Sequence, residues 1–238
     1  HIRNQNMPMS VASFRADSVT QELVNALAQS GQRTLTLAPE AGSEKIRHII
    51  NKGIEEEHLF KSISMGINAG VKNYRLYIMV GLPNEDENDI KAIVDMTICL
   101  KQYMEKLGSK GTLTLSINPF IAKPCTPFQW SAMADLKQTE KYFKYIKSEL
   151  KKYKNIEVQF ESTRESFIQG ILARGDRKIS QVIYEAHLNG GSKAFKRALK
   201  TFKINADDYL YRNFDKEELL PWDSLDMGFT KDYLWKEL

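Results

Sequence analysis

Residues Thr34 to Arg47 read TLTLAPEAGSEKIR, and the parsing of this stretch decides the fold. Residues 34–38 are an apolar, β-rich run that leads into Pro39 and Glu40. Ser43 has the chemistry of a helix N-cap, and Ile46, Ile49 and Ile50 follow at the spacing of a buried helical stripe. A strand therefore runs into a helix, with Glu40 at the mouth of the turn. A carboxylate in that place costs solvation free energy unless water, a donor or the hydroxyls of a ligand meet it. Complementing the positive end of the following helix is the simpler role open to it.

The same alternation extends along the chain. Apolar β-rich runs recur at residues 10–14, 74–80, 113–117 and 156–160. Val19, Leu23 and Leu27 form a helical face behind the capping-box pattern Ser18-Val19-Thr20-Gln21, and Gly31 stops it. Ile90, Ile93, Thr97, Leu100, Met104 and Leu107 alternate steps of three and four before Gly108. A further helix is expected over residues 136–153, with Phe143, Ile146 and Leu150 inward. Strand, helix, strand repeated in this way predicts parallel strands joined by right-handed crossovers. The runs RLYIMVG and TLTLSI are apolar enough to be covered on at least one face. Beyond residue 162 the pattern changes to short helices broken by Gly175, Gly190 and Gly191. The expected organisation is an α/β part over residues 1–162 and a helical C-terminal region over residues 163–238.

The 238 residues are 42% hydrophobic and 27% charged, which suits a globular chain with one large α/β core. The net charge of +4 permits nucleic acid as a partner without demanding it. Two cysteines, Cys99 and Cys125, are too few for a disulfide framework or a zinc site, and a reducing cytoplasm fits them best. No membrane partner is expected, because no run of roughly 18 apolar residues occurs. The chain opens on HIRNQNMPMS, and we read it as a piece of a longer protein.

In parallel α/β sheets, ligands bind at the carboxyl ends of strands. Those ends carry Arg15, Glu40 with Ser43, Met79 with Gly81, Leu82 and Pro83, and Asn118 with Pro119. Glu40 can accept two hydroxyl hydrogen bonds, as a ribose diol requires. Gly42 can let a ligand approach the backbone, and Gly81 leaves room for a flat ring. Arg15 can pair bidentately with a carboxylate, or simply with Asp17. Lys137, Lys141, Lys144, Lys147 and Lys151 form a basic stripe that reads first as the wet face of an amphipathic helix. Cys125 lacks a nearby histidine and reads as an ordinary thiol. Trp222 and Trp235 read as packing anchors.

Taken in order, FRADSVTQELVNALAQSGQRTLTLAPEAGSEKIRHIINKGI, AGVKNYRLYIMVGLPNEDENDIKAIVDM and LSINPFIAKPCTPFQW resemble the later part of a radical SAM domain. The likeness is greatest to the group carrying a cobalamin-binding domain, which also has segments like RGDRKISQVIYEA and LPWDSLDMGFTKDYLWKEL. The resemblance implies a partial, open TIM-type barrel. It also implies a [4Fe–4S] cluster held by a CxxxCxxC loop, and reductive cleavage of S-adenosylmethionine to a 5′-deoxyadenosyl radical that takes hydrogen from a substrate. By motif, Glu40 matches the acid that contacts the ribose. Met79, Gly81, Leu82 and Pro83 match the region beside adenine, and Asn118 and Pro119 the backbone groups that complete its pocket. Arg15 matches a polar residue that reaches the methionyl end.

No CxxxCxxC occurs in the chain, so the cluster loop and the cobalamin domain are expected upstream of His1. This chain alone is accordingly expected to be inactive, with an exposed strand edge over residues 9–15 that invites self-association. The substrate, an RNA or a small molecule, is not named by these residues. A barrel-like binding or scaffold module, RNA-binding but without radical chemistry, is the competing expectation.

Overall fold

The structure, a computed structural model, describes residues 11–238. Two compact units divide it. The first takes residues up to Val80 together with 84–118 and 141–160, and the second takes 81–83, 119–140 and 161–238. The chain passes into the second unit at residue 161, and it has done so twice before.

The first unit is built on a four-stranded sheet of order β1-β2-β3-β4, formed by β1 (Thr34–Glu40), β2 (Asn73–Val80), β3 (Leu113–Pro119) and β4 (Ile156–Phe160). Neighbours run parallel, with Leu37 beside Leu76 and Leu115 beside Val158. The connections carry α2 (Glu44–Ile49) and α3 (Glu56–Asn68), then α4 (Glu87–Lys106), then α5 (Leu136–Leu150), while α1 (Gln21–Gln29) precedes β1. This succession of parallel βα units is a partial, open TIM-type barrel.

Strand period explains which side of the sheet the helices cover. Along β2, Tyr74, Leu76, Ile78 and Val80 are buried, and Arg75, Tyr77 and Met79 only half-buried. The buried set joins Leu37, Leu113, Leu115 and Ile117 with Leu59, Ile63, Ile90, Ile93, Leu100 and Ile146 from the helices in one core. Each such aliphatic side chain contributes about 1.5–3 kcal/mol on leaving water. The opposite face carries a polar rank. Arg75 Nη1 donates to Ser116 Oγ at 2.6 Å and to Gln159 Oε1 at 2.7 Å, tying β2, β3 and β4 together. RLYIMVG and TLTLSI are thus covered by apolar packing on one face and bear the polar residues of a barrel interior on the other.

Three local features differ from the expected ones. The cap of α1 is Thr20, whose side chain accepts from Leu23 N, and not Ser18. Residues 16–18 are instead wound into a 3-10 turn in which Ser18 N and Oγ both donate to Arg15 O. α3 is an additional helix, burying Leu59, Ile63 and Gly66 at steps of four and three. Leu107, expected on the inner face of α4, is 41% exposed because the helix has already ended at Lys106. Of the edge expected over residues 9–15, residues 9 and 10 lie outside the described residues. Within them, Phe14 forms a single parallel bridge to Leu37, donating from its N to Thr36 O and accepting from Ala38 N.

The second unit is helical, with α6 (Thr163–Arg174), α7 (Ile179–Leu188), α8 (Phe195–Thr201), α9 (Asp207–Leu210) and α10 (Lys231–Glu237). Ile168, Ile171, Val182, Phe195, Leu199 and Leu210 form its core with Met133 from the 119–140 stretch. A smaller cluster gathers Trp130, Phe214, Leu220, Trp222 and Leu234. Trp222 is a buried anchor whose Nε1 donates to Gln129 Oε1 at 2.6 Å, and Trp235 meets Trp130 edge-on at 5.1 Å.

Gly42 shows how closely the first unit is packed. A Cβ on it would lie 2.3 Å from Ile93 N and 2.7 Å from Ala92 C, main-chain atoms of α4 that cannot swing aside. Gly42→Ala is therefore expected to cost about 2–3 kcal/mol or more, by the general cost of overpacking a filled interior. Urea unfolding checks this, and a cost below about 0.5 kcal/mol would mean that α4 yields easily.

Candidate functional site

The carboxyl ends of β1, β2 and β3 lie side by side and bring Glu40, Met79 and Asn118 to one end of the first unit's sheet. The register of β1 on β2 slips between Leu37 and Glu40, so that Leu37 pairs with Leu76 but Glu40 with Ile78. One extra residue in β1 bends the strand there, as β-bulges do beside functional sites. Glu40 itself has φ +69°, a left-handed conformation that a side chain with a Cβ seldom adopts. Strain of this kind, about 1 kcal/mol or more, persists only where the surroundings over-determine it.

Arg47 supplies that determination. Its side chain is fully buried on α2, and its guanidinium donates to Ala41 O at 3.1 Å, Gly42 O at 2.8 Å and Ile54 O at 2.6 Å. Among the described residues, Nη2 finds no hydrogen bond and stands 3.8 Å from Glu44 Oε1. Burial pushes the Arg47 pKa down from its ordinary value, but carbonyl oxygens on two segments receive the charge. Ser43 adds a second tie. Its hydroxyl caps α2 by accepting from Ile46 N and donates to Asp89 Oδ1 at 2.6 Å. Asp89, buried at the start of α4, also receives Lys45 Nζ at 2.6 Å and Asp86 N at 2.9 Å. The Ser43 hydroxyl is thus engaged in joining two helix starts. Gly42, for its part, faces the α4 backbone, and that close approach accounts for the glycine.

Glu40 is held from one side only. Lys52 Nζ lies 3.1 Å from its Oε1, and among the described residues no donor reaches Oε2. The carboxylate is partly open, with 24% of its side chain exposed. Lys52 is in turn positioned by Arg15, whose Nη2 donates to Lys52 O at 2.6 Å. The Arg15 guanidinium also grips Asp17 through Nε at 3.2 Å and Nη2 at 2.9 Å. That pairing raises the Arg15 pKa and lowers the Asp17 pKa, hydrogen bonding being the largest cause in each case. Arg15, Lys52 and Glu40 form a chain from two loops to the end of β1, with Arg15 already partnered within it.

Met79 is half-buried on the polar side of β2, and Asn118 is exposed at the end of β3. The remaining expected residues group with the second unit. Gly81, at φ +89°, is buried, and a Cβ there would fall 2.9 Å from Ala134 Cβ. Leu82 and Pro119 are buried and Pro83 is half-buried. Residues that the sequence did not single out are Arg75 and Lys52. Arg75 is betrayed only by being a cation at an alternate position of an apolar strand, and Lys52 by nothing local. Among the described residues no three His, Cys, Asp or Glu side chains converge as a metal site would require. Cys99 is exposed on α4, and Cys125 donates from its backbone N to Gln129 Oε1. No described helix is long and apolar enough to cross a membrane.

The family model of the radical SAM superfamily matches residues 4–97, which include Arg15, Glu40, Ser43, Met79 and the Gly81–Pro83 corner. A radical SAM superfamily domain therefore occupies that stretch, and such domains in general work with S-adenosylmethionine and an iron–sulfur cluster. The chain is also 36% identical over 208 residues to an uncharacterized protein of Methanocaldococcus jannaschii, an alignment covering 87% of this chain and 43% of that protein. The chain thus spans less than half the length of that relative.

The role given to Arg47 can be measured. Replacing it in Arg47→Met leaves three buried carbonyls without their donor, each loss costing about 1–3 kcal/mol, against some gain from removing a buried charge. A net loss of about 3 kcal/mol is expected in chemical denaturation. A variant as stable as the parent would show that the turn after β1 holds itself.

Proposed function

We propose that the rim at the carboxyl ends of β1, β2 and β3 is the nucleoside side of an S-adenosylmethionine site, and that this chain is part of a radical SAM enzyme. Glu40 carries the reading: a carboxylate with a left-handed backbone, beside a bulge, pinned by Lys52 through one oxygen and open at the other. The open oxygen suits the hydroxyl of a ribose, and Lys52 fixes the carboxylate's direction before the ligand arrives, which lowers the entropic cost of binding. Met79 offers a polarisable side chain to a flat base, and Asn118 backbone groups to its edge. Arg15, spent on Asp17 and Lys52 O, is a positioning residue in this scheme, as Ser43 is through α2 and Asp89.

S-Adenosylmethionine, when bound beside a reduced [4Fe–4S] cluster, supplies a 5′-deoxyadenosyl radical. This chain's own residues do not fit the cluster, because its two cysteines lie far apart in sequence and no described cluster of ligands replaces them. We assign the cluster cysteines to residues outside this chain, an assignment supported by the large part of the Methanocaldococcus relative that lies beyond the alignment. A cobalamin domain enters this reading only through the resemblance, and no residue of the chain is given a part in it. The substrate is a small molecule or a structured RNA. The RNA is favoured by the exposed row of Lys137, Lys141, Lys144, Lys147 and Lys151 on and just after α5.

Two measurements test the reading, and a third the substrate. Anaerobic treatment of this chain with iron and sulfide is expected to leave it colourless, and a brown, cluster-bearing chain would overturn the assignment of the ligands elsewhere. In the protein that unites this chain with its cluster ligands, Glu40→Gln is expected to lower kcat/KM for S-adenosylmethionine about tenfold or more, the worth of a charge-assisted hydrogen bond. Formation of 5′-deoxyadenosine is the readout, and an unchanged value removes Glu40 from the nucleoside site. For the substrate, structured RNA titrated into the same protein is expected to bind more weakly as salt rises. Binding that is absent or indifferent to salt leaves the small molecule.

A further inference from the structure

The segment RGDRK, residues 174–178, joins α6 to α7 in the second unit and is untouched by the reading above. Gly175 makes the corner tight: a Cβ there would lie 2.6 Å from both Ile171 O and Ile179 Cγ1. The corner places Arg174, Asp176, Arg177 and Lys178 on one cavity of about 670 Å³, whose other walls come from Asp208, Tyr209 and Arg212 and from the Phe214 to Ser224 segment. That volume lies within the range of small-molecule sites.

Arg174 is the unusual member. It is only 2% exposed, and its Nη atoms donate to Ser131 O at 2.8 Å and Arg212 O at 3.0 Å, with Leu210 O at 3.5 Å. Among the described residues, its Nε is buried with no partner and no carboxylate comes within ion-pair distance of it. Burial first, and the neighbouring Arg212 second, bring its pKa down to about 10, so it stays charged at neutral pH. The Arg174 and Arg212 guanidinium groups both lie against the Phe214 ring, at 3.8 and 4.4 Å from its centroid. The Glu218 carboxylate, bonded to Arg212 and acting on Arg174 as well, already lies between these two charges, and the exposed Arg177 and Lys178 add further positive charge beside them.

Three acids also line the cavity, so its four cations, Arg174, Arg177, Lys178 and Arg212, exceed them by one. Glu218 is committed to Arg212 through bonds of 2.8 and 2.5 Å. Asp176 accepts from Tyr209 OH at 3.3 Å and from Lys178 N at 2.9 Å, and Asp208 accepts from Asn205 Nδ2 at 3.0 Å. Among the described residues, Arg174, Arg177 and Lys178 are left without a salt bridge. Phe214, Leu220 and Pro221 add an apolar side to the same cavity. A backbone clamp accounts for the Nη bonds of Arg174 but not for the two unpaired cations gathered beside it.

We propose that the second unit holds a separate anion site in the cavity walled by Arg174, Arg177, Lys178 and Arg212, and that its ligand is a phosphorylated small molecule with an apolar or aromatic part. The site is independent of the nucleoside rim on β1, β2 and β3, and its test does not require radical chemistry.

The probes are pyrophosphate and adenosine diphosphate, titrated calorimetrically into the 238-residue chain. Both are expected to bind with dissociation constants below about 1 mM, the diphosphate nucleoside more tightly because it also meets Phe214 and Leu220. The double variant Arg177→Gln/Lys178→Gln changes exposed side chains only, and is expected to weaken pyrophosphate binding about tenfold or more without moving the thermal midpoint. A control, Lys193→Gln/Lys200→Gln, removes exposed charges elsewhere in the same unit and is expected to leave binding unchanged. No heat from pyrophosphate at millimolar concentration, equal binding by the first variant, or equal weakening by the control would each overturn the proposal.

Discussion

A single buried cation, Arg47, constrains the end of the first unit's sheet. A guanidinium without solvent must have acceptors, and it takes them from the carbonyls of Ala41, Gly42 and Ile54. Those carbonyls fix the path of the chain as it leaves β1. With that path fixed, Gly42 seats against the backbone of α4, Ser43 reaches Asp89, and Glu40 is left in a conformation it would not choose alone. The strained carboxylate and the buried charge are two ends of one arrangement. The desolvation cost of Arg47 is offset by hydrogen bonds that in turn hold the strain at Glu40.

The sheet supplies the other half of the geometry. Its apolar face, filled from Leu37 through Ile117, anchors the helices, while its polar face is braced by Arg75 between Ser116 and Gln159. Because side chains alternate strictly along a strand, the same register that buries Tyr74, Leu76 and Ile78 presents Arg75, Tyr77 and Met79 on the opposite side. A polar interior face with a functional rim at its carboxyl end is the division of labour on which parallel barrels rely.

Much of this was legible beforehand because it is periodic. Four of the five expected strand runs form strands within two residues of their expected bounds, while the run over residues 10–14 keeps, among the described residues, only the bridge at Phe14; Ser43 caps α2 as its chemistry requires. What escaped was non-local. Ser18 and Gln21 have the spacing of a capping box, yet the pairing of Arg15 with Asp17 and the 3-10 turn after it move the cap to Thr20. α3 carries its signal in Leu59, Ile63 and Gly66, diluted by Lys61, Ser62 and Ser64. Gly42 looks like an opening for a ligand and is instead required by Ile93, far away in sequence. At the site, Glu40 could be found from its turn, whereas Lys52, which fixes its direction, comes from the loop after α2 and leaves no local mark.

The second unit draws on a stretch well before its helices begin. Met133 belongs to the core of Ile168, Ile171 and Leu210, and Trp130 to the cluster around Phe214 and Trp222. Ala132 N donates to Asn213 Oδ1 at 2.7 Å, and Met133 N to Leu210 O at 2.7 Å. A polypeptide severed after residue 162 would keep the 119–140 stretch but strip Trp130 and Met133 of the clusters they join, baring a tryptophan and a methionine to water. The helical tail is therefore not a detachable ornament; evolution can vary its sequence, but shedding it would demand rebuilding the segment that follows β3.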